Sequence, residues 1–359
     1  MSRIDKSNET EKTEVGDKVQ MTLDQFISKA KKVYGKNVVI DIVNDKGYGD
    51  IIPFSSFSLN NALGVGGVAM NKITLFDGDP SSGKSTTAYD AIGHAQRLYK
   101  RPCLLIDKER GATNLYLKQL KIDVSPDMLV ILSPHTLEDM YDIVARALIN
   151  KLFACIVIDS VTSFAPSGRF LGQEQLGLES RINSDKMRII NDAVPDSNCA
   201  LIGICQIRNK IGVIGDPVTI SGGLAWPFYS HVRVRITRSK IERELQQNIM
   251  KFTVIKNKLA VPFKVGTVVY NWNEGFSASS EIAELSVEFG IIRNQGNSYF
   301  LDGAAEDNSE LKLVGKKNVV AFLNDNIAYR DKFIKPLLEE RLKETTLRSD
   351  EVNENDINN

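Results

Sequence analysis

The stretch Gly78-Asp79-Pro80-Ser81-Ser82-Gly83-Lys84-Ser85 decides how the rest of the chain is interpreted. It matches the pattern G-x-x-x-x-G-K-[ST], in which a glycine-rich backbone cradles phosphate groups. The apolar segment 72–77 before it predicts a buried strand, and the stretch 84–100 after it has the apolar spacing of a helix. A strand, a glycine loop and a helix start together aim backbone N–H groups and a helix dipole at one point. The sequence therefore predicts a nucleotide site.

Each residue type in this loop has a chemical reason. Gly78 and Gly83 let the backbone turn and approach the phosphates without a Cβ in the way. We expect Lys84 to neutralise the β- and γ-phosphates and the Ser85 hydroxyl to take a Mg²⁺ position. The alternative is an ordinary Gly/Ser turn, but the Lys-Ser pair and the upstream strand favour the nucleotide. The residues predicted to bind the nucleotide are Gly78, Asp79, Pro80, Ser81, Ser82, Gly83, Lys84, Ser85 and Thr86.

The composition limits the possible partners and compartments. The chain has 359 residues, enough for a large core and a smaller domain, and its 42% apolar residues are typical of a soluble globular protein. It has 45 Lys+Arg and 45 Asp+Glu, so a polyanion must be bound by a local basic surface. No apolar run approaches a membrane span, and the N-terminus lacks a signal-peptide core. Four cysteines in apolar runs indicate reduced thiols in a cytoplasm.

Alternating strand-like and helical stretches predict an α/β fold with a mostly parallel, twisted sheet covered on both faces. The later strands follow one another at short gaps, which predicts an antiparallel extension at one side of the sheet. The predicted strands are 72–77, 102–107, 129–133, 154–159, 199–207, 231–237, 251–256 and 266–271, and the predicted helices of the core are 84–100, 113–121, 136–152 and 179–194.

The two ends of the chain differ from this core. Thr22-Leu23-Asp24-Gln25 has capping-box spacing before a short amphipathic helix that Gly35 would end, and 37–43 resembles a strand. After Gly275 a helix at 279–289, a strand at 298–301 and helices near 316–325 and 328–344 predict a small α+β domain. The predicted domains are a disordered tail 1–20, an N-terminal arm 21–58, an ATPase core 59–274, a small C-terminal domain 275–344 and a polar tail 345–359. The arm could be a lid on its own domain or an oligomerisation arm that packs on a neighbour.

Polar side chains at strand ends are candidates for the chemistry. Asp159 ends an apolar strand, where a carboxylate reaches Mg²⁺ in P-loop proteins. Glu109 follows another strand and could activate the attacking water, or be a solvated carboxylate in a charge cluster. Gln206 could sense the γ-phosphate or simply cap a turn. Tyr116 could stack on adenine or belong to the core, and the pair Lys256 and Lys258 could reach phosphates or lie at a solvated strand end.

Two long glycine-rich segments, 166–178 and 209–227, interrupt a core of otherwise short connections. Loops of this length are usually functional or mobile. Glycine-rich backbone suits binding of a nucleic-acid backbone through N–H groups and nearby cations, here Arg181, Arg188, Arg208 and Lys210. Ordinary mobile loops are the alternative that composition leaves open.

Taken in order, the motifs resemble those of bacterial RecA recombinases. The resemblance runs from about Thr22 to about Leu338 and rests on the phosphate loop together with Leu-Ile-Asp-Lys-Glu, Ile-Val-Ile-Asp-Ser, Gln-Ile-Arg-Asn-Lys-Ile-Gly, Ser-Gly-Gly and Lys-Asn-Lys-Leu-Ala-Val-Pro-Phe-Lys. The chain departs from the family pattern at Arg110, where a smaller or His-like residue is usual, at Val218, where an acid is usual, and at Leu224, where a polar residue is usual. The overall divergence of the sequence is compatible with a phage or mobile-element origin.

The resemblance implies roles for the matching positions. Glu109 would activate water, Tyr116 would stack on adenine, and Gln206 would link the γ-phosphate to the second DNA loop. Lys256 and Lys258 would reach the ATP of the adjacent subunit. The implied DNA-binding residues are Leu176, Arg181, Ser184, Arg188, Arg208, Lys210, Ile211, Gly222 and Gly223.

The resemblance thus predicts an ATP- and Mg²⁺-dependent recombinase that forms a homo-oligomeric filament on single-stranded DNA and pairs it with homologous duplex DNA in a bacterial or phage-infected cytoplasm. The sequence does not identify the single-strand-binding and loader proteins that would work with it. A helicase or packaging motor of the same fold is one alternative. A non-catalytic mediator is another, although the intact Lys84, Glu109 and Asp159 argue against it.

Overall fold

The computed structural model describes residues 22–34, 47–170, 177–209, 218–220, 223–242, 247–272 and 275–341. By their internal contacts the residues divide into two units, Met1–Gly47 and Tyr48–Asn359.

The first unit contains helix α1 (Leu23–Tyr34). The Thr22 N–H donates to Gln25 Oε1 (3.0 Å) and the Gln25 N–H donates to Thr22 Oγ1 (3.3 Å). This reciprocal pair confirms the predicted capping box, which satisfies N–H groups that the first helical turn leaves without partners. The predicted stop at Gly35 and the predicted strand 37–43 lie outside the described residues.

The second unit alternates strands and helices. Its strands are β1 (Ile51–Ile52), β2 (Val68–Ala69), β3 (Ile73–Gly78), β4 (Cys103–Asp107), β5 (Leu129–Leu132), β6 (Cys155–Asp159), β7 (Ala200–Asn209), β8 (Val218–Ile220), β9 (Val232–Glu242), β10 (Gln247–Asn257), β11 (Val265–Asn271), β12 (Gly275–Phe276), β13 (Arg293–Gln295), β14 (Ser298–Leu301) and β15 (Leu311–Val314). Its helices are α2 (Phe57–Leu63), α3 (Lys84–Tyr99), α4 (Asn114–Gln119), α5 (Leu137–Ile149), α6 (Ser167–Phe170), α7 (Leu178–Ala193), α8 (Ala225–Tyr229), α9 (Ala278–Glu288), α10 (Lys316–Asp325) and α11 (Ile327–Tyr329). The eight predicted core strands and four predicted core helices are confirmed.

Ten strands form one sheet in the order β12-β11-β10-β9-β3-β7-β6-β4-β5, with β8 paired to β7. The strands from β9 to β5 are parallel, and β10, β11 and β12 extend the sheet in antiparallel pairs. Both features were predicted. Alternate residues of β6 enter two separate hydrophobic clusters: Val157 packs with α3, whereas Ile156 and Ile158 pack with α5 and α7. Both faces of the sheet are therefore covered, as its uninterrupted apolar strands require.

This topology brings the predicted chemistry to one edge of the sheet. In the parallel register, Gly78 at the end of β3 lies opposite Gln206 of β7, and Asp107 at the end of β4 lies opposite Asp159 of β6. Strand ends from distant parts of the chain therefore meet at the carboxyl edge, where open α/β sheets bind their ligands.

Two predicted boundaries need correction. Ile52 and Phe54 are buried in the main core, and β1 pairs with β2, so residues 48–58 belong with the core and not with the arm. The predicted helix 328–344 is interrupted by a π-helical turn at Arg330–Ile334 and is described only to residue 341. A third hydrophobic cluster, which includes Ile282 and Val319, forms the small C-terminal part.

The two predicted loops are also shorter than expected. Strand β7 continues to Asn209, its partner β8 follows at Val218–Ile220, and α8 begins at Ala225. The segment 166–178 contains α6. In the second segment, strand pairing between β7 and β8 enters a stretch whose glycine-rich composition predicted only a loop. The four cysteines are buried free thiols, as predicted. Among the described residues, no helix combines the length and apolarity that crossing a membrane requires.

Candidate nucleotide-binding site

The loop between β3 and α3 can be built only with glycine at its two ends. Gly78 has φ of 156°, and a Cβ there would overlap the Ile236 carbonyl oxygen. Gly83 has φ of 97°, a left-handed value, and a Cβ there would overlap the sulfur of Met250. The loop is thus pressed against β9 and β10, and its N–H groups at the start of α3 form an anion cradle.

Lys84 lies buried in the loop. Its Nζ donates to the carbonyl oxygens of Gly78 (3.0 Å) and Asp79 (2.6 Å). Burial lowers the pKa of Lys84, although the carboxylates of Asp159 and Glu109 oppose that shift. The ammonium group is therefore held by the loop itself, next to the position where phosphate would lie.

A buried carboxylate below the loop is neutralised by β9. Asp77, the penultimate residue of β3, accepts hydrogen bonds from Arg235 Nε (2.7 Å) and from Arg233 Nε. Because an unpaired buried charge is costly, these arginines explain how an acid can precede the phosphate loop.

The oxygen ligands around Asp159 suit Mg²⁺. Asp159 ends β6, accepts a hydrogen bond from the Tyr89 hydroxyl (2.7 Å) and is hydrogen-bonded to the Ser85 side chain. Burial raises the pKa of Asp159, and these hydrogen bonds oppose the rise. The described residues contain no cluster of three or more His, Cys, Asp or Glu side chains that could hold a metal ion. One hydroxyl and one carboxylate fit Mg²⁺, which keeps several waters and takes phosphate oxygens as ligands.

The structure joins Glu109 directly to Gln206. The Gln206 Nε2 donates to Glu109 Oε1 at 3.2 Å, although 97 residues separate the two in sequence. Ser160 and Ser163 donate to the same oxygen at 3.0 and 2.9 Å. The candidate water-activating group and the candidate phosphate sensor therefore form one hydrogen-bonded unit beside Lys84.

Tyr116 lies beside the helix that follows the loop. Its hydroxyl is 2.6 Å from Thr86 Oγ1, and its ring is tilted against that of Tyr89, with 6.1 Å between the ring centroids. Burial raises the pKa of Tyr116 and keeps the phenol neutral. Tyr116 is half-buried, so its ring belongs partly to the core and partly to the site.

Sequence reasoning missed one wall of the site. A cavity of about 230 Å³ lies along the loop and is also lined by β9, β10 and β11. The antiparallel register of the three strands forms this wall, because it pairs Arg238 of β9 with Met250 of β10 and Asn248 of β10 with Tyr270 of β11. No sequence motif marked these residues, because only the antiparallel pairing of three strands places them beside the loop. The lining residues that were not predicted are Arg238, Asn248, Met250 and Tyr270.

Lys256 and Lys258 lie away from the phosphate loop. Asn257, between them, pairs with Val232 of β9, and Val232 pairs with Thr74 of β3. Thr74 is near the start of β3, whereas the phosphate loop follows the end of that strand. Lys256 Nζ donates to the carbonyl oxygens of Pro227 and Phe228, both at 2.8 Å. Burial, followed by the charges of Lys258 and Arg233, lowers its pKa. The structure does not bring these lysines to the loop of the same chain.

The predicted DNA-binding residues are described only in part. Arg181, Ser184 and Arg188 are exposed on α7, at spacings of three and four that place them on one face. Gly223 has φ of 91°, and a Cβ there would crowd the Ser180 side chain. Arg208 lies in β7, but its side chain is outside the described part, as are Leu176, Lys210, Ile211 and Gly222.

Comparison with known proteins gives matches over most of the chain. The sequence model of the RecA N-terminal domain matches residues 21–277. Protein RecA of Wolbachia sp. subsp. Drosophila simulans is 35% identical over 315 residues, which cover 86% of each chain. Protein RecA of Macrococcus caseolyticus is 34% identical, covering 87% of this chain and 88% of the relative. Protein RecA of Chlorobaculum tepidum is 33% identical, covering 86% and 89%.

Proposed function

The chain belongs to the RecA family of recombinases, which act in DNA recombination and repair, and on that premise we propose that it is a DNA-dependent ATPase that drives strand exchange. The observation that carries the proposal is the gathering of polar side chains at the carboxyl edge of the sheet. There Lys84, Asp159, Glu109 and Gln206 come together from four separate segments. An ATPase needs this combination of phosphate, metal and water-orienting groups.

The residues divide the work between binding and hydrolysis. The loop N–H groups and Lys84 would bind the phosphates, and Tyr116 would face the adenine. Ser85 and Asp159 would hold Mg²⁺, which supplies charge neutralisation of the phosphate oxygens when it is bound. Glu109 would orient a water molecule and accept its proton. Its existing contact with Gln206 gives β7 a direct connection to that step.

The same connection supports coupling to DNA. Gln206 lies on β7, which continues to Asn209 and pairs with β8 inside the segment predicted as the second DNA loop. A change at Gln206 is therefore transmitted through one strand to that hairpin. Arg181, Ser184 and Arg188 would contact the DNA backbone, together with Leu176, Arg208, Lys210, Ile211, Gly222 and Gly223. Sequence specificity would come from base pairing between the strands.

A filament would complete the site. Lys256 and Lys258 lie away from the phosphate loop of their own chain, and Lys258 is exposed. Head-to-tail contacts between identical chains generate helical filaments, and such a contact can deliver these lysines to the nucleotide of the next subunit. In this arrangement the N-terminal arm packs on a neighbour, the core carries the ATP site and both DNA loops, and the small C-terminal part lies outside the ATP site.

The test compares the protein with Lys84→Ala. We expect the unaltered protein to hydrolyse ATP faster when single-stranded DNA is added and to exchange strands between circular and linear DNA. Lys84→Ala should lose ATP-dependent filaments and strand exchange. Unchanged filaments and pairing in this variant would refute the role of the loop. Processive unwinding would instead indicate a helicase, and DNA binding without ATP turnover would indicate a mediator.

A further inference from the structure

Three donors converge on one oxygen of Glu109. Oε1 accepts hydrogen bonds from Ser163 Oγ (2.9 Å), Ser160 Oγ (3.0 Å) and Gln206 Nε2 (3.2 Å). Oε2 makes no hydrogen bond to any part of the chain that the structure describes. The carboxylate is thus anchored through one oxygen, and the other makes no hydrogen bond with the described residues that would compete with a water molecule.

The two serines share a limited number of protons. Ser160 Oγ and Ser163 Oγ are 2.6 Å apart, in addition to their contacts with Glu109. Ser160 Oγ also lies 3.2 Å from Thr162 Oγ1, so the two serine protons are shared among four contacts. When Ser160 donates to Thr162 or to Ser163, Ser163 is the serine whose proton can reach the carboxylate of Glu109.

The serines lie on a fixed turn. Ser160 follows the last residue of β6 and caps the 3₁₀ turn Val161–Ser163, to which Ser163 belongs. Its N–H donates to the Ser160 carbonyl (3.1 Å), and the next residue, Phe164, is buried in the core. Gln206 is different, because it lies on the strand that leads into the second predicted DNA loop. Of the three donors, Gln206 is the one that the proposed function requires to turn toward the terminal phosphate.

We propose that Ser163 is a positioning residue for hydrolysis, whose hydroxyl holds Glu109 Oε1 in place when Gln206 leaves it for the nucleotide. The inference rests on the water-activating role of Glu109 proposed above. Hydrogen bonds to a charged group are strong enough to fix its orientation. Ser163 makes no hydrogen bond to the phosphate loop among the described residues, so its effect falls on the chemical step and not on ATP binding.

The experiment measures ATP turnover on saturating single-stranded DNA for Ser163→Ala and Ser163→Thr. For Ser163→Ala we expect kcat to fall about tenfold while KM for ATP stays unchanged. Ser163→Thr keeps the hydroxyl and should restore most of kcat. The matched control is Thr162→Val, which removes a hydroxyl from the same turn that contacts Ser160 (3.2 Å) but not Glu109. We expect this control to retain kcat.

The variant Glu109→Gln separates this inference from the proposed function, because it removes the carboxylate through which Ser163 would act. The inference is overturned by an unchanged kcat in Ser163→Ala, by a raised KM with intact kcat, or by a Thr variant as impaired as the Ala variant. Full turnover in Glu109→Gln alone would instead refute the role of Glu109 itself.

Discussion

At the scale of single residues, the buried carboxyl group of Glu281 holds distant parts of the chain together by hydrogen bonds. It lies at the start of α9, and its Oε1 accepts hydrogen bonds from the Ser56 hydroxyl (3.1 Å) and from the Ser58 N–H. Ser58 Oγ in turn accepts from the Thr267 N–H of β11 (2.9 Å). One side chain therefore fastens the small C-terminal part to the start of α2 and to the antiparallel strands. Burial raises the pKa of Glu281 to about 8.

This pKa predicts a pH-dependent stability. Between the unfolded value of 4.5 and about 8, the folded chain holds a proton that the unfolded chain has lost. The free energy of unfolding contributed by this group therefore falls as the pH rises, by on the order of 1 kcal/mol per pH unit. Glu281→Gln keeps an oxygen acceptor without the ionisation, so it should flatten this slope, as measured by denaturant unfolding at pH 6, 7 and 8.

The variant Glu281→Ala separates charge from contact. It leaves the Ser58 N–H without its acceptor, and we expect it to destabilise the protein by roughly 1–3 kcal/mol at pH 6. If Glu281→Gln and the unaltered protein lose stability in parallel from pH 6 to 8, Glu281 does not titrate as described.

Residues that belong to a local motif could be predicted from the sequence. Lys84, Ser85 and Asp159 follow from short patterns whose spacing fixes their place on a strand, loop or helix. Arg238 and Asn248 could not be predicted, because they reach the cavity only through the pairing of β9, β10 and β11. The convergence of Glu109 and Gln206 follows from parallel strand ends, but their direct contact depends on side-chain geometry that spacing does not encode.

At the scale of elements, α7 presents two arginines to solvent on a face that also carries the exposed acids Asp185 and Asp192. Arg181 and Arg188 are exposed, whereas Lys186, on the same helix, pairs with Asp142 at 2.9 Å. The opposite face carries the buried Met187 and Ile190 toward the sheet. The helix thus separates a core contact from a candidate DNA contact. Its apolar spacing predicted the helix, but not which of its cations would remain exposed.

This arrangement predicts a difference between three cations of one helix. Arg181→Ala combined with Arg188→Ala should weaken binding of single-stranded DNA and reduce the salt dependence of log K by about 1–2, because up to two phosphate contacts are lost. Lys186→Ala is the matched control, since it removes a positive charge that faces Asp142. Binding measured by fluorescence anisotropy over a salt series checks this.

An equal loss of affinity and of salt slope in the control would indicate a diffuse charge effect. In that case the exposed face of α7 would have no specific role.

At the scale of the whole molecule, the proposed function divides the active site between subunits. The phosphate loop and Glu109 lie at the carboxyl edge of the sheet, while Lys256 and Lys258 lie near the start of β3. Within one chain, Lys256 and Lys258 could reach the phosphate loop only if the pairing of β9 with β10 were broken. Lys258 is the better probe of the two, because Lys256 also donates to two carbonyl oxygens of its own chain.

The most direct test mixes two inactive variants. Lys258→Ala keeps an intact loop and Glu109, whereas Glu109→Gln keeps an intact lysine for its neighbour. In filaments assembled from equal amounts on single-stranded DNA, about a quarter of the head-to-tail interfaces would combine both intact halves. We predict that each variant alone hydrolyses ATP at a background rate and that the mixture recovers about a quarter of the unaltered turnover. A mixture that stays at background, or Lys258→Ala with full activity on its own, would contradict a site shared between subunits.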